Sequence, residues 1–144
     1  MKILFLLLSV LVSHILQHDE SSITGTWLTE EGDGKIQIYQ KNNKYHGKII
    51  WLKEPMNPTT KKPQTDSKNP NEELRNRQVI GLVVLKNLKY NPGEKKWEEG
   101  TIYDPKTGSS YKCTIELKDK NTLNVRGYIG FSLVGRTTTW KKVN

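Results

Sequence analysis

The clearest candidate for chemistry in this chain is Asp104, which begins an Asp-Pro-Lys-Thr-Gly segment. Two carboxyl groups in one cleft can divide the roles of acid and base, so a second acid beside Asp104 would allow acid-dependent hydrolysis. Asp33, Glu98 and Glu99 are the candidates for that second acid. The segment also has the composition of an ordinary β-turn, with Asp first, Pro next and Gly last. The sequence leaves both interpretations open.

A second set of residues could form the wall of a binding pocket. Tyrosines and arginines combine an apolar body with a polar tip, which is typical of ligand sites. Such a wall would accept a small, partly apolar molecule. Tyrosine also favours β-strands, so the same residues fit a purely structural role. The candidates are Tyr39, Tyr103, Tyr111 and Arg126.

Metal, cofactor and thiol chemistry find little support in the sequence. His46 is the one histidine after residue 24, and it has no Cys, Asp or Glu at ligand spacing, so no metal site is predicted. The one cysteine, Cys113, excludes an internal disulfide and is expected to be a small buried apolar residue. The chain has no phosphate-binding loop or nucleophile elbow, and no cofactor is predicted.

Two tryptophans and one arginine favour a structural role. Trp27 follows Gly25-Thr26 near the start of the strand pattern, and Arg136 and Trp140 lie near its end. A guanidinium can stack on an indole ring in a cation–π contact. If the first and last strands pair, Arg136 is expected to stack on Trp27, and the three residues would plug one end of a barrel.

The elements that must position these residues are short β-strands. Apolar and polar residues alternate at period two, most clearly over residues 109–118. Turn residues such as Asp33-Gly34 and Asn42-Asn43 separate the runs, at the spacing of an all-β sandwich or barrel. The predicted strands are residues 24–29, 35–40, 44–52, 79–90, 96–103, 109–118, 122–129 and 134–143.

Eight strands in chain order predict an antiparallel up-and-down β-barrel, in which the last strand pairs with the first and leaves no open edge. In the sixth strand Tyr111, Cys113, Ile115 and Leu117 would face inward, and in the seventh Ile129 would do so. An eight-stranded barrel is just wide enough for one small ligand or for its own side chains. A ligand-binding barrel and a fully packed barrel therefore both remain open.

One long segment, residues 53–78, interrupts the strand pattern. It is rich in proline and polar residues, and loops of this length in small domains are often functional. Asn69-Pro70 predicts one short helix over residues 70–76, with Asn69 as its N-cap and Pro70 in its first position. We expect this segment to act as a lid over the open end of the barrel.

The first 18 residues have the form of a secretory signal. Lys2 precedes an apolar run over residues 3–12, which is too short to span a bilayer as a helix. We predict that residues 1–18 are removed, that the protein is exported to the periplasm or secreted, and that residues 19–144 form a single domain. An uncleaved anchor is the alternative.

The positive charge is spread over the chain rather than concentrated in one tract. The formal net charge is +8 at pH 7, and basic residues are mixed with acidic ones, as on a solvated surface. We expect a monomer that binds no nucleic acid and has no transmembrane segment after the signal is removed, with a weak attraction to anionic lipid or polysaccharide surfaces.

A string of short motifs runs from residue 24 to residue 143. It includes Gly25-x-Trp27, Tyr45-x-Gly47-Lys48-Ile49-x-Trp51-Leu52, Leu74-Arg75-x-Arg77, Gly100-x-Ile102-Tyr103-Asp104-Pro105-x-x-Gly108, Leu123-x-Val125-Arg126-Gly127-Tyr128 and Gly135-Arg136-x-x-x-Trp140. Together they resemble the bacterial family called "domain of unknown function 2147". The resemblance implies a small exported barrel similar to lipocalins and avidins, which belong to the calycins, and it implies no reaction.

Three functions are consistent with these observations. The first is a binding protein that holds a small, partly apolar ligand at the open end of the barrel. The second is an acid-dependent hydrolase that uses Asp104 and a second carboxylate. The third is a barrel with a packed interior and no ligand. We favour the first by analogy of fold, and we expect no enzymatic activity.

Overall fold

Eight antiparallel strands close into a barrel in the computed structural model, which describes residues 20–131 and 133–144. Each strand pairs with the next along the chain, and the last pairs with the first, so the predicted all-β up-and-down barrel is confirmed. The predicted signal segment lies outside the described residues. The strands are β1 (Gly25–Leu28), β2 (Gly34–Lys41), β3 (Lys44–Leu52), β4 (Val83–Asn91), β5 (Lys96–Asp104), β6 (Ser109–Asp119), β7 (Thr122–Tyr128) and β8 (Gly135–Val143).

The β2–β3 hairpin shows how local sequence sets the register. Asn42 and Asn43 both have positive φ angles, 53° and 61°, as a two-residue turn of the hairpin type requires. Asparagine tolerates this conformation better than most residues. The turn places Lys41 opposite Lys44 and confirms the predicted connection.

The β1–β2 connection differs from the expected Asp33-Gly34 turn. Gly34 is already in β2, opposite Leu52. The left-handed position is instead Gly32, with φ of 72°. The Thr29 hydroxyl donates to Asp33 Oδ1 at 2.6 Å, and this hydrogen bond across the turn stabilises it.

Large aromatic side chains fill one end of the barrel, which we call the closed end. A single 3-10 turn, Glu20–Ile23, crosses this end. Trp27 Nε1 donates to the Ile23 carbonyl at 2.9 Å and Trp97 Nε1 donates to the Glu20 carbonyl at 3.0 Å. Both indole rings are buried, and Tyr45 meets Trp97 edge-on with ring centroids 6.5 Å apart. The two indole rings can therefore be buried at little cost, because each N–H group donates to a carbonyl of the 3-10 turn.

The expected contact between Arg136 and Trp27 is wrong. The antiparallel register of β1 and β8 puts Lys142 opposite Trp27, and the Lys142 ammonium lies 5.4 Å from the ring centroid. Arg136 lies six residues earlier on β8, about 20 Å away along an extended strand. Trp140 is buried inside the barrel opposite Leu123.

The segment between β3 and β4 contains less helix than expected. The predicted helix over residues 70–76 is a single 3-10 turn, Glu72–Leu74, whose N-cap is Asn71. The expected cap, Asn69, donates its side-chain amide to Asp66 Oδ2 at 2.8 Å. The Asn69 side-chain oxygen still accepts from the Asn71 backbone at 2.8 Å, so Asn69 links a local turn to the buried carboxylate, and no longer helix follows it.

Two strand ends also differ from the expectation. Residues 79–82 form a turn, with Gly81 at φ of 95°, and β4 begins only after it. Ile129 was expected to face inward, but it lies beyond β7 in the turn to β8 and is 64% exposed. On β6 the expected pattern is confirmed, since Cys113 and Ile115 are completely buried.

We predict that Trp27→Ala lowers the free energy of unfolding by about 3–5 kcal/mol, because it removes a fully buried large aromatic side chain. Trp51→Ala is the matched control, since this ring is 38% exposed on the barrel's outer face, and it should change the free energy by less than about 1 kcal/mol. Urea unfolding followed by circular dichroism measures both. Equal effects would contradict the role of Trp27 as a plug.

Candidate functional site

A cavity of about 1150 Å³ enters the barrel from the end opposite the aromatic plug. Alternate residues of the strands face it, and most are apolar. Two inward positions on neighbouring strands, Gly127 and Thr138, have small side chains and leave room between the larger ones. The apolar wall is formed by Ile36, Ile49, Val84, Ile102, Tyr111, Val125 and Trp140.

Below the cavity the interior is packed. Leu85, Cys113 and Ile115 are completely buried and lie outside the lining of the cavity. Burial raises the pKa of the Cys113 thiol to about 12, so the thiolate is not formed near neutral pH. The cysteine is therefore a core residue, as the sequence indicates.

Charged side chains surround the mouth of the cavity. Lys106 forms ion pairs with Asp33 and with Glu31, the latter at 3.2 Å. Burial alone would raise the pKa of the Asp33 carboxyl, but hydrogen bonds from Lys106 and Thr29 outweigh it and hold that pKa below its usual value. The same bond to Asp33 raises the pKa of Lys106. Both groups are charged at neutral pH, and they connect the β1–β2 and β5–β6 turns.

Arg136 also lies at the mouth, on the inward-facing row of β8. Its guanidinium reaches Glu30 at only 4.0 Å and is 75% exposed. Glu30 is held in place separately, because its Oε1 accepts a hydrogen bond from the Thr139 backbone at 3.1 Å. An exposed ion pair of this length contributes little to stability. Arg136 can therefore turn towards a polar group at the mouth.

A buried carboxylate fixes the segment between β3 and β4 to the barrel. Asp66 has no exposed surface. Arg77 Nε donates to its Oδ2 at 3.0 Å, and Arg77 Nη2 forms an ion pair with the same oxygen at 3.0 Å. Asn69 donates at 2.8 Å, and the Tyr103 hydroxyl of β5 donates to Oδ1 at 2.5 Å. Burial, and then the hydrogen bond to Asp66, raise the pKa of Tyr103 to about 12.

A second contact fixes the same segment. Gly108, in the β5–β6 turn, has φ of 76°, and a Cβ atom there would lie 2.0 Å from the Lys68 carbonyl oxygen. Only glycine allows the two backbones to approach this closely. The segment lines the cavity with Gln64, Thr65, Ser67, Lys68 and Val79. It is therefore a wall attached at two points, where the sequence suggested a lid.

Asp104 has the contacts of a turn residue. Its Oδ1 accepts a hydrogen bond from the Lys106 backbone at 2.9 Å, and its carbonyl accepts one from the Gly108 backbone at 2.8 Å. It lies at the rim of the cavity, as does Asp33. Of the other expected partners, Glu98 accepts a hydrogen bond from Asn91, and neither it nor Glu99 lines the cavity.

The structure divides the expected pocket residues into two groups. Tyr103 and Tyr111 line the cavity. Tyr39 lies on the outer surface of β2, with its ring centroid 5.7 Å from that of His46. Arg126 also faces outward and donates to the Thr137 hydroxyl at 3.2 Å. Neither of these two residues lines the cavity, because the inward positions alternate with theirs along each strand.

The sequence reasoning missed most of the wall. None of the aliphatic wall residues Ile36, Ile49 and Val125 was predicted as a pocket residue, and neither were the small residues Gly127 and Thr138. Strand alternation identifies them as inward-facing, but it cannot show that the space in front of them is empty. Among the described residues, no group of three or more His, Cys, Asp or Glu side chains could hold a metal ion.

The closed barrel, the aromatic plug at one end and the apolar cavity at the other define a lipocalin-like barrel. The chain belongs to the bacterial family described as "Uncharacterized protein conserved in bacteria (DUF2147)", whose model matches residues 25–142. The resemblance noted from the motifs is thereby confirmed. A comparison with curated proteins gave no match.

A solved structure supports the assignment of the fold. The protein HP1028 from Helicobacter pylori, which is described as belonging to the lipocalin family, superposes with a TM-score of 0.72. The two sequences are 24% identical, and the match covers 84% of this chain and 82% of that one. A likeness at this identity shows the fold and does not transfer a ligand.

The attachment through Tyr103 predicts a pH dependence of stability. The pKa of Tyr103 is raised to about 12 in the folded protein, against about 10 in an unfolded chain. The contribution of the protonated Tyr103 hydroxyl to the free energy of unfolding is complete below about pH 10 and is lost as the pH rises towards 12. Tyr103→Phe removes this contribution, so the variant should lose less stability than the wild type between pH 9 and pH 11.

Urea unfolding midpoints at these pH values measure the difference, with Tyr39→Phe on the outer surface as the control. Tyr39→Phe should follow the wild type. If Tyr103→Phe loses as much stability as the wild type over this range, Tyr103 does not have the raised pKa.

Proposed function

We propose that this protein is an exported binding protein that holds one small, mostly apolar molecule inside its barrel. The observation that carries this proposal is the open cavity of about 1150 Å³ with an apolar wall. Ligand cavities typically measure about 300–1,000 Å³ and combine apolar walls with a few polar groups. A barrel filled by its own side chains would have no such space.

The distribution of polar groups suggests how the ligand lies. The deep part of the cavity contains Trp140, Val125 and Ile36, and the polar residues Arg136 and Lys68 are at the mouth. Apolar surface gains about 25 cal/mol for each Å² removed from water, whereas an unpaired polar group loses free energy when it is buried. The apolar part of the ligand would therefore enter first, and its polar end would stay at the mouth.

Export and a monomeric state complete the proposal. The family is bacterial, and residues 1–18 have the form of a secretory signal. No helix in the described parts of the chain is both long and apolar enough to cross a membrane. The closed barrel leaves no unpaired strand edge on which a second chain could extend the sheet.

The contacts of Asp104 do not favour the hydrolase alternative. A pair of carboxyl groups that shares a proton needs one raised pKa. The pKa of Asp33, the other expected acid at this rim, is instead lowered by Lys106 and Thr29. Asp104 itself caps the β5–β6 turn. We therefore assign both residues to the structure of the mouth.

Gly127→Leu tests the binding proposal by filling the cavity. A Cβ atom at residue 127 would lie 3.4 Å from Ile102 and 3.5 Å from Tyr111, so it fits, and the rest of the leucine would extend into the space. Arg126→Leu adds the same side chain on the outer face. Titration with the fluorescent probe 1-anilinonaphthalene-8-sulfonate should show binding to the wild type and to Arg126→Leu. Binding to Gly127→Leu should be weaker by about tenfold or more.

Unfolding midpoints of the three proteins serve as the control for folding. Equal affinity of Gly127→Leu and the wild type, with both folded, would contradict binding inside the barrel. So would a wild type that binds no apolar probe.

Export has its own test. The protein isolated from the envelope or culture medium of its bacterium should begin near residue 19, as shown by N-terminal sequencing. A full-length chain confined to the cytosol would contradict export and would leave the test of the cavity unaffected.

A further inference from the structure

The turn between β7 and β8 exposes apolar side chains at the mouth of the cavity. Phe131 and Leu133 are 87% and 91% exposed, and Ile129 and Val134 are each 64% exposed. These four residues, which we call the apolar tip, include the most exposed large apolar side chains among the described residues. Scattered apolar residues are ordinary on a protein surface, but a cluster of this kind marks a contact site.

The fold does not require these side chains. The turn is held by its backbone, with the Ile129 amide donating to the Val134 carbonyl at 2.9 Å and the Val134 amide donating to the Phe131 carbonyl at 3.2 Å. At its base, a Cβ atom on Gly135 would lie 2.4 Å from the Gly127 carbonyl oxygen. Polar residues would satisfy the same backbone, so the apolar composition of the tip needs another explanation.

The tip is continuous with the cavity. Ile129 and Val134 both line the mouth, and the apolar wall extends below them along Val125 and Trp140. Arg136 and Glu30 are the charged residues on this side of the mouth, and their pair is long and exposed, so an apolar molecule could pass beside them from the tip into the barrel. The charged pairs of Lys106 with Asp33 and Glu31 connect other turns of the mouth.

The size of the tip argues against a protein partner. A stable protein interface buries about 800 Å² on each side, and four side chains on one turn supply only a part of that area.

A lipid bilayer needs no complementary surface, because apolar side chains enter its interfacial region one by one. The net charge of +8 adds attraction to anionic lipids. Tyr128 and Arg136 flank the tip, and residues of these types are common at membrane–water boundaries.

We propose that the apolar tip inserts into the surface of a lipid bilayer and brings the mouth of the cavity against it. Phe131 and Leu133 enter the interfacial region, and Ile129 and Val134 lie at the boundary with the mouth. This inference rests on the exposed tip and does not require that the cavity binds a ligand.

Flotation of the full chain with lipid vesicles tests the proposal. Vesicles of phosphatidylcholine alone and of phosphatidylcholine with phosphatidylglycerol should both carry the wild type upward, the anionic ones more strongly at low salt. The double variant Phe131→Ser/Leu133→Ser should bind about tenfold less or weaker to both. Ile50→Ser/Trp51→Ser is the matched control, since these residues are 39% and 38% exposed on the wall of β3, and it should float like the wild type.

All of these proteins carry the same first 19 residues, so a difference between them reports the tip. A wild type that does not float, or a tip variant that floats as well as the wild type, would overturn the proposal. Sedimentation velocity without lipid provides a further outcome. A wild-type dimer that the tip variant converts to a monomer would overturn it in favour of a second copy as the partner.

The Gly127→Leu variant separates this inference from the proposed function. It fills the cavity and leaves the tip unchanged, so it should float like the wild type. If it loses probe binding and keeps vesicle binding, the two properties are independent, as the inference requires. If it loses vesicle binding, the tip is not the membrane contact.

Discussion

Three residue pairs join β1 to β8, namely Thr26 with Val143, Trp27 with Lys142, and Leu28 with Lys141. These pairs close an open eight-stranded sheet into a barrel with an enclosed interior. They also place the Lys142 ammonium against the ring of Trp27. Without closure the first and last strands would be free edges, which promote aggregation. The plug and the cavity both exist only because this short pairing is made.

Side-chain volume then divides the interior into two parts. At the closed end Trp27 and Trp97 fill the space and bond the 3-10 turn that covers them. At the open end Gly127 and Thr138 leave space. The outer parts of the mouth are fixed by polar contacts, above all those of Asp66. Its burial is acceptable because three side chains donate to its carboxylate and one of them, Arg77, also neutralises its charge. A rigid mouth allows a cavity to stay open in front of an apolar wall.

The features that could be predicted from the sequence are those that depend on neighbouring residues. Strand alternation predicted the inward face of β6 correctly. The pair Asn42-Asn43 predicted the hairpin turn between β2 and β3. The errors involve contacts between distant residues. Asn69 has the sequence context of a helix cap and accepts from the Asn71 backbone. Its amide also donates to Asp66, which binds Tyr103 37 residues further along the chain, and this network could not be read from the local sequence. Arg136 was expected opposite Trp27, but Lys142 takes that position, because the sequence does not show the register of β1 against β8. The cavity itself could not be predicted either, because strand alternation shows which residues face inward but not whether side chains from distant strands fill the space between them.

The closing pair of strands has a consequence for how the chain reaches this structure. Trp27 and Lys142 are about 115 residues apart in sequence, so the barrel closes only after the last strand has been synthesised. Contacts between such distant residues carry a large loop-closure entropy and form slowly. Until β8 arrives, the apolar inner faces of the earlier strands have no complete enclosure. A chain with this order of strands stays unfinished for as long as its C-terminal strand is held back.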